Sequence, residues 1–311
     1  MAFAAVALLV IALAAGFAAT HVASRAAARA SAWSLVLLAV IAMERLTADE
    51  PAGVRMIAII LALLYAMKAV VTVESRADLP RPLRPAEWVA FAAGWFGMRP
   101  KVFVGLGGPP REGWRRLVSY GLRRVVIGIG LVVARLVWPT GAVVAATAIA
   151  CVGLSLFLHF GVFNVVAGLW RALGADTGPL FREPLRSRSL SEFWGRRWNL
   201  AFSEMTAIAV YRPLGAVVGR PAALVVAFLS SGLLHELAIS VPVRAGYGLP
   251  FTYFLVHSAL LLGERQLEAR GHPIQRHGVL ARLWTFGWLV LPVPLVFHPP
   301  FLAGVVWPLL R

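Results

Sequence analysis

A single cysteine, Cys151, stands in the whole chain. A lone thiol excludes an intramolecular disulfide and any cysteine-built zinc or iron–sulfur centre, so Cys151, inside an apolar run, reads as a small buried residue. Charge is scarce as well. Charged residues make up 14% of the 311 positions and hydrophobic ones 59%, with mean hydropathy +0.77. A soluble domain carries about 25% charged residues, so the composition excludes that class and leaves a polytopic membrane protein. Lysine is nearly missing: of 30 basic residues only Lys68 and Lys101 are not arginine. The net charge of +16 would suggest nucleic acid in a soluble chain. Here the basic residues fall between apolar runs and no nucleic-acid motif accompanies them, so the positive-inside bias is the simpler account. No basic stretch precedes the first apolar run, which is therefore read as an uncleaved span rather than a signal peptide. The GLGGPP turn at 105–110 lacks the Gly-Lys-Ser/Thr of a phosphate-binding loop. No repeat of the transporter kind is present.

What is there is a series of apolar runs, eight of them read as spans: about 2–19, 30–43, 54–73, 122–138, 141–160, 221–241, 249–262 and 279–297. The fold class expected is an all-α polytopic integral membrane helical bundle, one domain over 1–311, with interfacial or broken helices added. Lys68 lies near the end of the third run, from where its ammonium is expected to snorkel to the headgroups. Pro139 and Thr140 read as a tight turn. The helix after it is expected to continue through Asn164 to Leu173, with His159 and Asn164 as polar groups near its inner end. Trp88, Phe91, Ala92, Trp95 and Phe96 follow a helical period after Pro85, which predicts an amphipathic helix in the interface. Residues 205–218 are interrupted by Arg212 and Pro213, which predicts a broken or half-crossing helix buried in protein or lining a cavity. Pro292 and Pro294 are expected to kink the eighth span, and 301–310 is too short to count as one. Orientation follows from charge. Residues 74–124 hold ten Lys/Arg against four acids, 171–220 eight against four, and 264–282 four against two. These loops are placed in the cytoplasm with the N-terminus outside, and the membrane expected is the bacterial inner one.

The chemistry concentrates between Ser189 and His235. Ser189 and Glu192 form a capping box ahead of EFWGRRWN. Glu192 and Arg196 are an i, i+4 pair, and Trp194 and Trp198 are expected on one face beside Arg197. That pattern is shared by an aromatic-belt anchor with basic flanks. In FLSSGLLHELAIS, Ser231 lies one turn before His235, Gly232 permits close helix approach, and Glu236 points away from His235. A histidine at membrane depth is a functional suspect. It reads equally well as a general base for an alcohol or as a group hydrogen-bonded to a neighbouring helix.

PLFREPLRSRSLSEFWGRRWN, the following Tyr211-Arg-Pro213 and then FLSSGLLHELAI resemble, in order and spacing, the wax synthase branch of the membrane-bound O-acyltransferase family. VHSALLLGER with His257 is similar to the next family block, and FAAGWFGMRPKVF to a weaker N-terminal one. The close resemblance covers about 176–265. It implies transfer of an acyl group from acyl-CoA, as co-substrate, to the hydroxyl of a lipophilic acceptor, a long-chain alcohol first among them, without metal or redox cofactor. It implies a catalytic pair at His235 and Asn199, with His235 as base and Asn199 as amide donor or donor-orienting group. Trp194, Arg196, Arg197, Trp198, Glu236 and His257 are assigned to substrate binding, the two arginines to the phosphates of coenzyme A. The rival readings are a proton-coupled transporter relaying through His235, Glu236 and His257, and a scaffold anchored by the tryptophan helix.

Overall fold

The computed structural model describes residues 2–136 and 143–310. The expected turn at Pro139 and Thr140 lies outside them. The described residues form helices joined by loops, with no strand among them. In order they are α1 (Ala2–His21), α2 (Arg25–Leu46), α3 (Ala52–Glu74), α4 (Pro85–Ala92) and α5 (Trp114–Leu136). Then α6 (Val143–Ser155) runs through a π-helical stretch (Leu156–Val162) into α7 (Phe163–Ala172). The centre of the chain holds α8 (Leu190–Glu192) with a π-helical turn (Phe193–Arg197), and α9 (Leu200–Thr206) continued by another (Ala207–Tyr211) into α10 (Arg212–Val218). Next α11 (Arg220–His235) continues through a π-helical turn (Glu236–Ser240) into α12 (Val241–Val243). The chain closes with α13 (Leu249–Ala269), α14 (Val279–Val290), α15 (Val293–Val296) and α16 (Pro299–Phe301).

Among the described residues, seven helices are long and apolar enough to cross a membrane: 2–21, 25–46, 52–74, 114–134, 145–172, 220–243 and 279–296. The count is one short of the eight read from the sequence because of α13. That helix has 21 residues, length enough to cross, but it carries His257, Ser258 and Glu264, all buried against protein. Polar groups facing protein lower its hydropathy without taking it out of the bundle. The fifth helix does continue through Asn164 to Ala172, and the chain breaks between α14 and α15 at Pro292, as expected. The segment after Asn199 is one helical run whose middle turn is π-helical, just before Pro213. A proline cannot donate to the ladder, and the widened turn accommodates it.

Packing in the first half rests on small residues. Ala28, Ala32, Ala39, Ala62, Ala66 and Ala69 are buried between α1, α2 and α3, which lets the backbones approach where apolar lipid offers no hydrophobic drive. Glycine does the same between α5 and α6–α7: a Cβ at Gly128 would lie 2.5 Å from the Phe157 amide nitrogen. The helix expected at the interface is shorter than its pattern, ending at Ala92, and its aromatic face docks on protein. Trp88 and Phe91 are buried, and Trp88 Nε1–H donates to Leu13 O at 3.1 Å. At its start the Arg81 guanidinium, 2.6 Å from Glu87, holds that carboxyl below its ordinary range.

Lys68 departs from its expected place. It is fully buried, and Nζ donates to three carbonyls, Phe91 O at 2.9 Å, Trp95 O at 2.8 Å and Gly97 O at 2.6 Å. The segment after α4 folds back over the end of α3 and supplies in carbonyls what the headgroups would have supplied in water. An ammonium has three donors, so the buried group is fully satisfied.

Candidate functional site

The motif turn is built from its cap. Ser189 Oγ accepts the Glu192 amide at 3.0 Å, as the sequence predicts, but Glu192 Oε2 reaches the Arg188 amide at 2.8 Å instead of that of Ser189. From Phe193 to Arg197 the helix is π-helical. A π turn holds an extra residue and bonds i to i+5. Glu192 therefore pairs with Arg197 at 2.6 Å and not with Arg196, four residues on. Burial alone would raise the Glu192 carboxyl; the Arg188 amide and the Arg197 guanidinium outweigh it and hold the group below its ordinary range. Arg197 is thus committed within the chain, while Arg196 is exposed.

Glu264, which the sequence reading did not single out, anchors this turn from α13. Its Oε1 accepts the Leu190 amide at 2.8 Å and the Trp284 indole at 3.0 Å, and its Oε2 accepts the Ser191 amide at 2.8 Å. A carboxylate on the first amides of a helix satisfies donors that have no intrahelical partner. The residue was legible only as one acid within VHSALLLGER; nothing local points it at a turn 74 positions upstream.

Trp198 leaves the helix in an extended conformation and Asn199 follows at φ 42°, ψ 61°, the left-handed region that asparagine tolerates better than most residues. Asn199 Oδ1 accepts the Phe202 amide at 3.3 Å and caps α9. The π turn and the extended backbone of Trp198 give the two tryptophans expected on one face different neighbours. Trp194 lies edge-on to Phe228 and to His257, whose centroid is 5.4 Å away. Trp198 stacks on Phe193 at 5.4 Å and meets Phe181 edge-on at 4.9 Å.

His235 closes α11. Its Nδ1 lies 2.7 Å from Ser231 O, one turn back. A carbonyl only accepts, so Nδ1 carries the proton and Nε2 is the free base. Among the described residues, Nε2 of His257 and of His298 are buried and unpartnered, whereas that of His235 is not sealed. Phe254 and Phe202 flank the ring at 4.3 and 5.2 Å. The approach of α13 that brings Phe254 there depends on Gly232, where a Cβ would lie 3.0 Å from Phe251 Cα. Glu236 points elsewhere: Oε1 accepts the amides of Gly248 at 2.9 Å and Phe251 at 3.0 Å and caps α13. His257 is fully buried, with Nδ1 3.0 Å from Tyr253 O.

A cavity of about 710 Å³ gathers these pieces. His235, Asn199, Trp194 and Trp198 line it together with Phe202, Phe254 and Tyr211. Its volume falls within the range of small-molecule pockets, and its wall is mainly apolar and rich in aromatic rings. Glu236, His257, Arg196 and Arg197 are not among its lining residues. The three members of the relay therefore face three directions: the cavity, a helix cap and the core. His159 does line the cavity, with Nδ1 3.0 Å from Ser155 Oγ. The sequence offered it only as a polar group near a helix end; the signal that raises it is the π-helical stretch that contains it, a feature that recurs at functional sites.

Fold and site together define a multi-pass helical membrane protein with a histidine on the wall of an aromatic chamber. Residues 177–256 match the model of the family described as "Membrane bound O-acyl transferase family", inside the 176–265 segment whose motifs carry the resemblance. The chain is 34% identical over 166 residues to a probable long-chain-alcohol O-fatty-acyltransferase 9 of Arabidopsis thaliana, 48% of this chain and 49% of that protein. It is 34% identical over 137 residues to a long-chain-alcohol O-fatty-acyltransferase of Simmondsia chinensis, 39% of each. It is also 30% identical over 168 residues to a probable long-chain-alcohol O-fatty-acyltransferase 3 of Arabidopsis thaliana, 49% of each. The similarity to the wax synthase branch is thus borne out, and it spans about half the length of the first of these relatives and less of the second.

Proposed function

We propose that this protein is a membrane-embedded O-acyltransferase that moves a fatty acyl group from acyl-CoA to a long-chain alcohol, giving a wax ester. The observation that carries the reading is His235: its Nδ1 proton is held by Ser231 O, leaving Nε2 as a base on the wall of an aromatic cavity. Nε2 takes the hydroxyl proton as the alcohol oxygen attacks the thioester carbonyl, and the C–O bond forms while the carbonyl π pair moves to oxygen. That pair then returns, the C–S bond breaks, and the coenzyme A thiolate receives the proton from His235. No covalent enzyme intermediate, metal or redox cofactor is required. Asn199 Nδ2 is the donor left over once Oδ1 caps α9, and it is assigned to the developing oxyanion, where a fixed donor is worth most. Trp194, Trp198 and Phe254 are assigned to the chain of the acyl group or the alcohol.

The charge bias of the loops supports a cytoplasmic placement of 74–124, 171–220 and 264–282, with the N-terminus outside. The membrane is taken to be a bacterial inner membrane, whose cytoplasmic side meets acyl-CoA. Purified protein incubated with labelled palmitoyl-CoA and a panel of alcohols, including a sterol and a diacylglycerol, tests the reading by mass spectrometry. Wax ester from the long-chain alcohols is expected. Absence of any ester from a folded preparation overturns it, and an ester of another acceptor alone overturns the alcohol assignment.

A further inference from the structure

A second, smaller basin lies beside the chamber. It has a volume of about 440 Å³ and is lined by Arg186, Arg188, Glu192, Arg197 and Arg282. Four arginines, from 186–188, 197 and 282, line it together with a single carboxylate. That carboxylate is already used: Glu192 is held by Arg197 at 2.6 Å and by the Arg188 amide. Arg186 is 3.0 Å from Glu183, but both side chains are largely exposed, at 70% and 62%. Such a pair is worth little and exchanges readily for a better anion. Arg188 and Arg282 are exposed. Like charges lining one basin repel one another. An anion with several oxygens relieves that repulsion, and planar guanidinium groups suit phosphate in particular.

Position sharpens the point. Ser191 lines the chamber and Glu192, the next residue, lines the basin. One helical turn therefore separates an apolar volume from a cationic one. A ligand with an apolar tail and a phosphate-bearing head fits across that turn. Arg265, at the chamber wall and exposed, stands on the same cationic side.

We propose that Arg186, Arg188 and Arg282, with Arg197 fixed behind them by Glu192, form a phosphate-binding site. The occupant is the nucleotide head of the acyl-CoA whose acyl chain enters the chamber, an assignment that rests on the transferase reading. The same chemistry would accept the headgroup of an anionic phospholipid, since exposed Val279, Leu280 and Leu283 surround Arg282 on α14. The site is set apart from Arg196, which lies on the same turn but lines neither volume.

Binding separates this proposal from the reaction. Purified protein in neutral detergent is titrated with coenzyme A itself, and the Arg186→Gln/Arg188→Gln/Arg282→Gln variant is compared with an Arg270→Gln control on the same side of the molecule. A loss of affinity of about 10-fold or more in the triple variant, with the control unchanged and both proteins monodisperse, is expected. In parallel, native mass spectrometry measures retention of phosphatidylglycerol against phosphatidylcholine. Loss of phosphatidylglycerol retention in the triple variant, with coenzyme A binding intact, assigns the phosphate site to lipid. No change in either ligand overturns the site. Turnover with palmitoyl-CoA and with the palmitoyl thioester of N-acetylcysteamine, which has no phosphate, completes the test. The triple variant is expected to raise KM for the first about 10-fold and leave the second unchanged. Equal losses with both donors overturn the assignment to the nucleotide head. If coenzyme A binds in the basin but no thioester reacts, the transferase reading fails while the site stands.

Discussion

The two halves of this molecule treat buried polarity in opposite ways. In α1–α4 the deepest charge, Lys68, has all three of its donors matched by carbonyls. From α8 onward, polar atoms are left without partners. Trp194 Nε1, Glu236 Oε2, His257 Nε2, His298 Nε2 and Trp307 Nε1 are buried and unsatisfied, against Arg55 Nε alone in the first half, among the described residues. Helix geometry divides the same way. The π-helical stretches among the described residues all lie at or beyond Leu156. Unpaired buried groups and widened turns both cost stability, and they gather where a site is built. The first half is a wall satisfied but for Arg55 Nε, and it braces the second: Arg55 on α3 donates to Pro242 O at 2.6 Å, just beyond the histidine helix.

The largest effect expected is on the site side. His235→Ala should lower kcat about 10²–10⁴-fold, the contribution of a positioned base, with little change in folded yield; near-normal turnover would remove the mechanism. Asn199→Ala should fall close behind, since it removes both the proposed oxyanion donor and the cap of α9. Glu264→Gln sharpens the contrast. It keeps one acceptor but cannot hold the Leu190 and Ser191 amides and the Trp284 indole as a carboxylate does, so turnover should drop about 10-fold, by one hydrogen bond to a charged group. A Glu264→Gln enzyme with full kcat would show that the motif turn holds itself.

On the wall side the expectation is reversed. Lys68→Met leaves three buried carbonyls unmatched, at about 1–3 kcal/mol each if nothing relaxes. A loss of roughly 3 kcal/mol in thermal or denaturant unfolding is expected, with kcat per folded molecule unchanged. A variant as stable as the parent but slow in turnover would break the division between wall and site. The smallest effect expected is from His257→Ala, less than about 10-fold in kcat, because that ring packs behind Trp194 and lies outside the cavity lining. A loss equal to that of His235→Ala would restore His257 as a participant.

Much of this was legible in order along the chain. Apolar runs of about 20 residues must be helical in lipid, so the bundle could be read from hydropathy. The histidine at depth and the Ser189 cap could be read from their neighbours within one turn, and so could the close approach at Gly232. What failed was every pairing whose partner is chosen by geometry beyond one turn. Glu192 was matched to Arg196 by α-helical spacing and pairs with Arg197 because the turn is π-helical. Trp194 and Trp198 were put on one face and find different neighbours because the turn between them is π-helical and Trp198 leaves it extended. Glu236 and His257 were grouped with His235 by proximity in sequence and face other partners.

The sequence by itself determined the solvent this chain folds in, its helical architecture and the segment where the chemistry sits, because those follow from composition, hydrophobic length and motif residues within a single helix. Only the tertiary structure decided which polar groups are spent on the fold and which remain for a ligand. Lys68 is used up by carbonyls 23 to 29 positions away, and Glu264 by amides more than 70 positions upstream. His235 keeps one nitrogen free because its own helix satisfies the other. The Lys68 and Glu264 outcomes rest on which distant backbone groups arrive at each side chain, and no local pattern encodes that arrival.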